Sequence, residues 1–287
     1  MRGLITRSMA RLAQMVSVRS VPPGGGRSPI RDARVRASGH STRDVESYYQ
    51  HNTPAYLRGF GEFFQGSRPD SDEQLVSYTI EAAQLADGQD VLDAGCGVGG
   101  PALAFASHLD LRIEGVTLAP AQVDEARTRI AKAELKGSVA VRQGDFHQLA
   151  TLYPGRQFDR VLLLESLCHA ESYRDVLAGA RDLLKPGGKI YIKDFYAVDH
   201  RARPERTEAQ NTDLKRLTDI YKLVVPDLPS VLDLVSELGF QLVYLRMPEF
   251  EPTYRHWAQY EVETGRPWSP HTQPGEVIQG FELLAQS

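Results

Sequence analysis

Ten residues at positions 91–100, Val-Leu-Asp-Ala-Gly-Cys-Gly-Val-Gly-Gly, constrain this 287-residue chain more than any other stretch. An apolar run ends in a carboxylate, Asp93, and glycines follow at 95, 97 and 99. Pro101-Ala-Leu-Ala-Phe-Ala-Ser then reads as the opening of an apolar helix. A strand that turns this sharply into a helix belongs at the carboxyl end of a parallel sheet strand, where open α/β sheets bind their ligands. Glycine lets the backbone turn through positive φ and lets a ligand approach without a Cβ in the way. The helix behind it offers unpaired N–H groups. Such a turn can also be purely structural, and its GxGxG spacing differs from the GxGxxG dinucleotide fingerprint.

The rest of the chain agrees with a parallel sheet. Strand patterns fall near 90–94, 112–117, 139–143, 158–163 and 189–194, with helical patterns near 100–108, 120–136 and 173–184. This alternation predicts a doubly wound sheet. A helix at 229–238 and strands at 240–246 and 277–285 follow. Upstream, Asp44-Val-Glu-Ser-Tyr-Tyr-Gln and the Ser71-Asp-Glu-Gln start signal predict two further helices. Segments 41–86, 197–227 and 248–275 are expected to form a helical lid over the strand ends, because uncommitted loops of this length are rare in compact domains. Residues 41–287 thus read as one domain with a lid.

Residues 1–40 carry eight arginines, one acid and no lysine, and contain Pro22-Pro-Gly-Gly-Gly. Arg-rich, acid-poor starts are similar to organelle presequences. The proline–glycine run cannot continue an amphipathic helix, so a disordered tail or a misassigned start is preferred. Charged residues make up 24%, the net charge is −4, and no run is long and apolar enough to span a membrane. Nucleic acid is therefore not expected as a partner. Cys96 and Cys168 form no metal or disulfide pattern, so the cytoplasm is the simplest compartment.

Asp93-Ala-Gly-Cys-Gly-Val-Gly99 resembles motif I of the class I S-adenosylmethionine-dependent methyltransferases. That resemblance implies a Rossmann-like seven-stranded α/β sheet closing in a reversed hairpin, with Asp93, Gly95, Gly97 and Gly99 around the cofactor. Many such enzymes end the second strand with an acid for the ribose. Here Gly115-Val-Thr117-Leu-Ala-Pro-Ala-Gln122 is similar to the cyclopropane fatty acid synthase group, which implies ribose contacts from Thr117 and Gln122. A hydroxyl and an amide can both hydrogen-bond a diol. Asp145 and Phe146, after the third strand, match the adenine-contacting position.

Glu165 follows four apolar residues at the end of the fourth strand, where a carboxylate is paired or has its pKa raised by desolvation. The stretch resembles that of the geranyl diphosphate C-methyltransferases, which implies Glu165 as the base, although Leu164 replaces their asparagine. Methyl transfer to an alkene leaves a carbocation that must lose a proton, and a carboxylate can stabilise the one and accept the other. His169 is the other candidate base. Aromatic faces also stabilise cations, and Phe195, Tyr196, Tyr221, Trp257 and Tyr260 fall in or beside lid segments. Tyr49 and Asn52 are placed like the polar N-terminal residues of those diphosphate-binding relatives. Arg201, Arg203 and Arg206 could hold a diphosphate, which would bring Mg²⁺ through oxygen ligands and water; no protein metal ligand is assigned.

The expected activity is therefore S-adenosylmethionine-dependent C-methylation of a prenyl diphosphate. O- or N-methylation of another small molecule is the second reading, and cofactor binding without catalysis the third. A homo-oligomer is left open.

Overall fold

Each strand-like run pairs into one sheet, most helix-like runs cover one of its faces, and three helices gather in a cluster of their own. The computed structural model describes residues 40–198, 204–250, 255–265 and 277–287. The Arg-rich start, except His40, and Arg201 and Arg203 lie outside the described residues. In chain order the elements are α1 (Thr42–Phe60), α2 (Asp72–Ala82), β1 (Asp90–Ala94), α3 (Gly100–His108), β2 (Arg112–Thr117), α4 (Pro120–Ile130) and β3 (Ser138–Gln143). Then come a short α5 (Leu149–Leu152), β4 (Phe158–Leu164), α6 (Tyr173–Asp182) and β5 (Leu184–Ala197). The last are α7 (Pro204–Tyr221), α8 (Leu228–Glu237), β6 (Gln241–Arg246), α9 (Arg255–Thr264) and β7 (Ile278–Gln286).

The strand order is β3-β2-β1-β4-β5-β7-β6. Strands β1 to β5 run parallel, and β7 is antiparallel to both β5 and β6. This is the Rossmann-like sheet with a reversed hairpin expected from the sequence. Successive strands leave β1 in opposite directions, toward β2 on one side and β4 on the other, which opens a crevice at their carboxyl ends.

Alternation sorts the apolar side chains onto two faces. Leu92, Val161, Leu163, Ile190 and Ile192 pack against α6 and α8. Val91, Ile113, Leu162 and Tyr191 pack with Phe105 of α3 and Leu75 and Val76 of α2. Of segment 41–86, α2 therefore lies with the sheet, whereas α1 joins α7 and α9 in a third cluster that includes Tyr48, Tyr56, Phe60, Leu217, Tyr221 and Tyr260. α1 begins with a capping box, Ser41 and Asp44 each receiving the other's backbone N–H.

Two expectations shift at element ends. α4 stops at Ile130 rather than 136, because the chain must drop toward β3. Lys136 and Gly137 both donate their N–H to the Ala106 carbonyl, and a Cβ at Gly137 would lie 2.1 Å from the Leu111 oxygen. β5 runs to Ala197, beyond the expected 194, because β7 pairs with it along that whole length.

Candidate functional site

The glycine turn is built as its composition requires. Gly95, Gly97 and Gly99 have φ of +99°, +53° and +77°. Gly95 and Cys96 donate to the Val116 carbonyl at 2.9 and 3.0 Å, tying the turn to β2. A Cβ at Gly95 would stand 2.3 Å from that of Ser166, whose hydroxyl donates to the Ala94 carbonyl at 2.7 Å. A Cβ at Gly97 would find nothing nearer than 3.7 Å, so the turn's open side faces the crevice.

That crevice brings together Asp93, Gly95, Gly97, Thr117, Gln122 and Phe146, and on its other side Tyr49, Glu165 and His169. Asp93 is buried, and its Oδ2 has no hydrogen-bond partner. Burial alone pushes its carboxyl up to about 7. An orphaned carboxylate oxygen in a crevice wall is a place for a ligand's ammonium group. Thr117 Oγ1 donates to Gln122 Oε1 at 2.5 Å, both buried. The pair is thus prearranged, with the Gln122 amide NH₂ left as a donor. These groups fit S-adenosylmethionine: an anion for its amino group, a neutral pair for its diol and a glycine-lined floor.

Asp145 is used differently. It accepts from the backbone N–H of His147 at 2.9 Å and from His147 Nδ1 at 2.5 Å, and it is not part of the crevice lining. Burial opposes its charge, but the His147 hydrogen bonds hold the carboxyl below its ordinary value. Phe146 and Gly144 line the crevice in its place.

Glu165 sits at φ +54°, a conformation rare for a side-chain-bearing residue. Its Oε2 accepts from Gly66 N at 2.6 Å. Its Oε1 accepts from Ser67 N at 3.0 Å and from Lys193 Nζ at 2.5 Å. Lys193, 1% exposed, also donates to Gln65 Oε1 and to the Ser67 carbonyl. His169 Nδ1 lies 2.9 Å from the Lys222 carbonyl, which can only accept, so Nδ1 carries the proton. Burial, the largest influence, lowers the imidazole to about 4. The ring is therefore neutral near pH 7, and Tyr49 donates its hydroxyl to Nε2 at 2.8 Å.

Packed on Tyr49 is a buried aromatic cluster. Tyr48 hydrogen-bonds Tyr56 at 3.0 Å and Tyr260 at 2.8 Å. Tyr221 meets Trp257 edge-on at 4.9 Å, and Tyr56 packs on Phe64 at 4.9 Å. Phe195 belongs to the same cluster. Of the residues expected to contact the acceptor, Tyr49 lines the crevice, Phe195, Tyr221, Trp257 and Tyr260 lie in the adjoining cluster, and two join neither. Asn52 donates to the Tyr48 carbonyl within its own helix, and Tyr196, on the opposite face of β5 from Phe195, bonds Gln279 at 2.6 Å. Sequence reasoning missed Lys193, Gln65, Gly66 and Ser67. The available signal was Lys193-Asp194, two charges within the apolar run Ile190-Tyr-Ile-Lys-Asp-Phe195.

A family model for mycolic acid cyclopropane synthetase matches residues 69–283. A 24-methylenesterol C-methyltransferase 2 of Arabidopsis thaliana is 27% identical over 238 residues, 79% of this chain and 64% of that protein. The chain spans 57–64% of the length of this and two sterol 24-C-methyltransferases that it matches. Among solved structures, the [4+2]-cyclase SpnF superposes with a TM-score of 0.69 at 18% identity, covering 88% of this chain and 97% of that one. The geranyl diphosphate C-methyltransferase of Streptomyces coelicolor A3(2) superposes with a TM-score of 0.63 at 13% identity, covering 87% and 99%.

Proposed function

The chain belongs to the mycolic acid cyclopropane synthetase family, and on that premise we propose that it is an S-adenosylmethionine-dependent methyltransferase acting on an alkene carbon of an isoprenoid acceptor. The observation that carries this reading is the crevice lining, in which the orphaned Asp93 carboxylate and the Thr117–Gln122 pair share one cleft with the rings of Tyr49, Phe64 and Phe146. Rings in the crevice wall suit an apolar acceptor and the cation formed when its double bond gains a methyl group. The sterol and geranyl diphosphate C-methyltransferases among its relatives support the same chemistry.

S-adenosylmethionine, when bound, supplies an electrophilic sulfonium methyl group. Asp93 would hold the amino group, Thr117 and Gln122 the ribose, and Phe146 the adenine. Crossing the crevice, Tyr49 and the ring faces orient the acceptor and exclude water that would quench a cation. The proton then lost goes to the Tyr49 hydroxyl oxygen as that hydroxyl passes its own proton to His169 Nε2. A weakly basic imidazole suffices, because a proton beside a carbocation is strongly acidic. Glu165 was the base implied by resemblance, yet three donors already occupy its oxygens, which favours His169.

The narrower form, a prenyl diphosphate acceptor with Mg²⁺, relies on Arg201, outside the described residues. Among the described residues no cluster of three or more His, Cys, Asp and Glu could hold a metal; Mg²⁺ would be held through the diphosphate itself. The test is product analysis by mass spectrometry with geranyl diphosphate, with and without EDTA, beside uncharged isoprenoid and sterol alkenes. A product with a new carbon–methyl bond is expected. Methylation confined to hydroxyl or amine acceptors overturns the alkene reading in favour of O- or N-methylation, for which the neutral His169 is also a competent base. Binding of the cofactor without turnover of any acceptor would favour the third reading, a cofactor-binding protein.

A further inference from the structure

Residues 63–69 are irregular and, apart from half-buried Phe64, buried, and a buried segment outside helix and strand must find partners for its backbone polar groups. Here two side chains supply them. Glu165 accepts both the Gly66 and Ser67 N–H groups, and Lys193 takes the Ser67 carbonyl together with the Gln65 side chain. The two are joined to each other at 2.5 Å. On the outer side Trp257 of α9 lies against Gly66, where a Cβ would fall 2.1 Å from its Nε1. On the inner side Glu62, Phe64 and Gln65 line the cofactor crevice. A Cβ at Gly100, at the start of α3, would come within 2.1 Å of the Glu62 carbonyl. The segment thus crosses the glycine turn.

We propose that the Glu165–Lys193 ion pair fastens residues 64–67 as a strap across the cofactor crevice, so that Glu165 is a positioning residue that sets how tightly the methyl donor is held and how fast its product leaves. The proposal rests on the methyltransferase reading above. A buried ion pair is worth keeping only when further hydrogen bonds satisfy its remaining valences, and here every further bond goes to the strap. The left-handed backbone at Glu165 points the same way, since such conformations persist where surroundings over-determine them. If Glu165 were the proton acceptor instead, its removal would slow the chemical step and leave donor affinity intact.

The test uses calorimetry and stopped-flow release of S-adenosylhomocysteine, which needs no acceptor. E165Q and K193M are each expected to raise the Kd about tenfold or more, because each leaves a buried partner unsatisfied, and to speed release correspondingly. The double variant should lose little beyond either single one. Hydrogen exchange on the unaltered chain adds a measurement free of folding defects: the Gly66 and Ser67 amides should exchange as slowly as those of β4, and more slowly still with S-adenosylhomocysteine bound. Unchanged affinity in folded E165Q, or rapid exchange at both amides regardless of ligand, overturns the strap. Failure of the unaltered chain to bind S-adenosylhomocysteine overturns the methyl-donor reading and the strap with it.

Discussion

Asp93 and His169 titrate in opposite directions for one reason, burial, which disfavours whichever form is charged. Asp93 with its carboxyl near 7 is partly protonated in the free protein at neutral pH. A ligand ammonium needs the carboxylate, so below that value binding must first remove a proton. S-adenosylhomocysteine affinity is therefore expected to weaken as pH falls from 8 to 6, and Asp93→Asn should flatten that dependence in a calorimetric titration. For His169 the window lies lower. With the ring near 4, kcat/KM should be flat in this group above pH 5 and fall as pH drops through about 4. His169→Gln should lower kcat by roughly a hundredfold or more, the usual scale of general base catalysis, and Tyr49→Phe comparably. At this scale the sequence was informative where a residue's chemistry is local. The glycines at 95, 97 and 99, with Asp93, announce their turn within seven positions. Glu165 was legible as an important acid but not in its role, because its three partners come from Gly66, Ser67 and Lys193, at 99, 98 and 28 residues' separation. At Asp145 the partner is near instead: His147, two residues away, takes up one oxygen of the carboxylate that the resemblance assigns to adenine.

Among the elements, α1 and α9 approach each other closely at Gly59. A Cβ at Gly59 would come 3.0 Å from the Tyr260 backbone, so only glycine allows this distance without displacement. Gly59→Leu should wedge α9 away and splay the Tyr48–Tyr260 pair. Since a displacement of about 1 Å at a reacting centre can cost a hundredfold in rate, acceptor turnover is expected to fall steeply. S-adenosylhomocysteine affinity, touched only through the Trp257–Gly66 contact, should change less; steady-state kinetics beside calorimetry separate the two. The strands were legible in the sequence because their apolar runs are bounded by turn residues, down to 90–94 and 112–117 as observed. α2 was legible as a helix but not as part of the sheet's covering, because periodicity shows that a face is buried without showing against what. Its Tyr78 bonds Glu282 of β7, a residue 204 positions later.

Taken whole, the molecule closes on itself at β7. Glu282, fully buried, accepts from Tyr78, Tyr191 and Arg246 at 2.7, 3.0 and 3.0 Å, joining α2, β5 and β6 through one carboxylate. Removing residues 277–287 should therefore do more than trim a strand. It strips β5 of its antiparallel neighbour and leaves Arg246 and two tyrosines without their acceptor. The expected result is a chain that fails to give a cooperative urea transition, read by circular dichroism. The Tyr48–Tyr260 hydrogen bond carries this into time. Its two residues stand 212 positions apart, so one side of the aromatic cluster waits for the other throughout most of synthesis on the ribosome. Non-local pairings of this kind bear the full entropy of closing a long loop before they gain anything. A nascent chain can carry the glycine turn, Thr117, Gln122 and Glu165 while Lys193 and Tyr260 are still unmade, so the crevice floor precedes both the strap's fastening and the aromatic cluster.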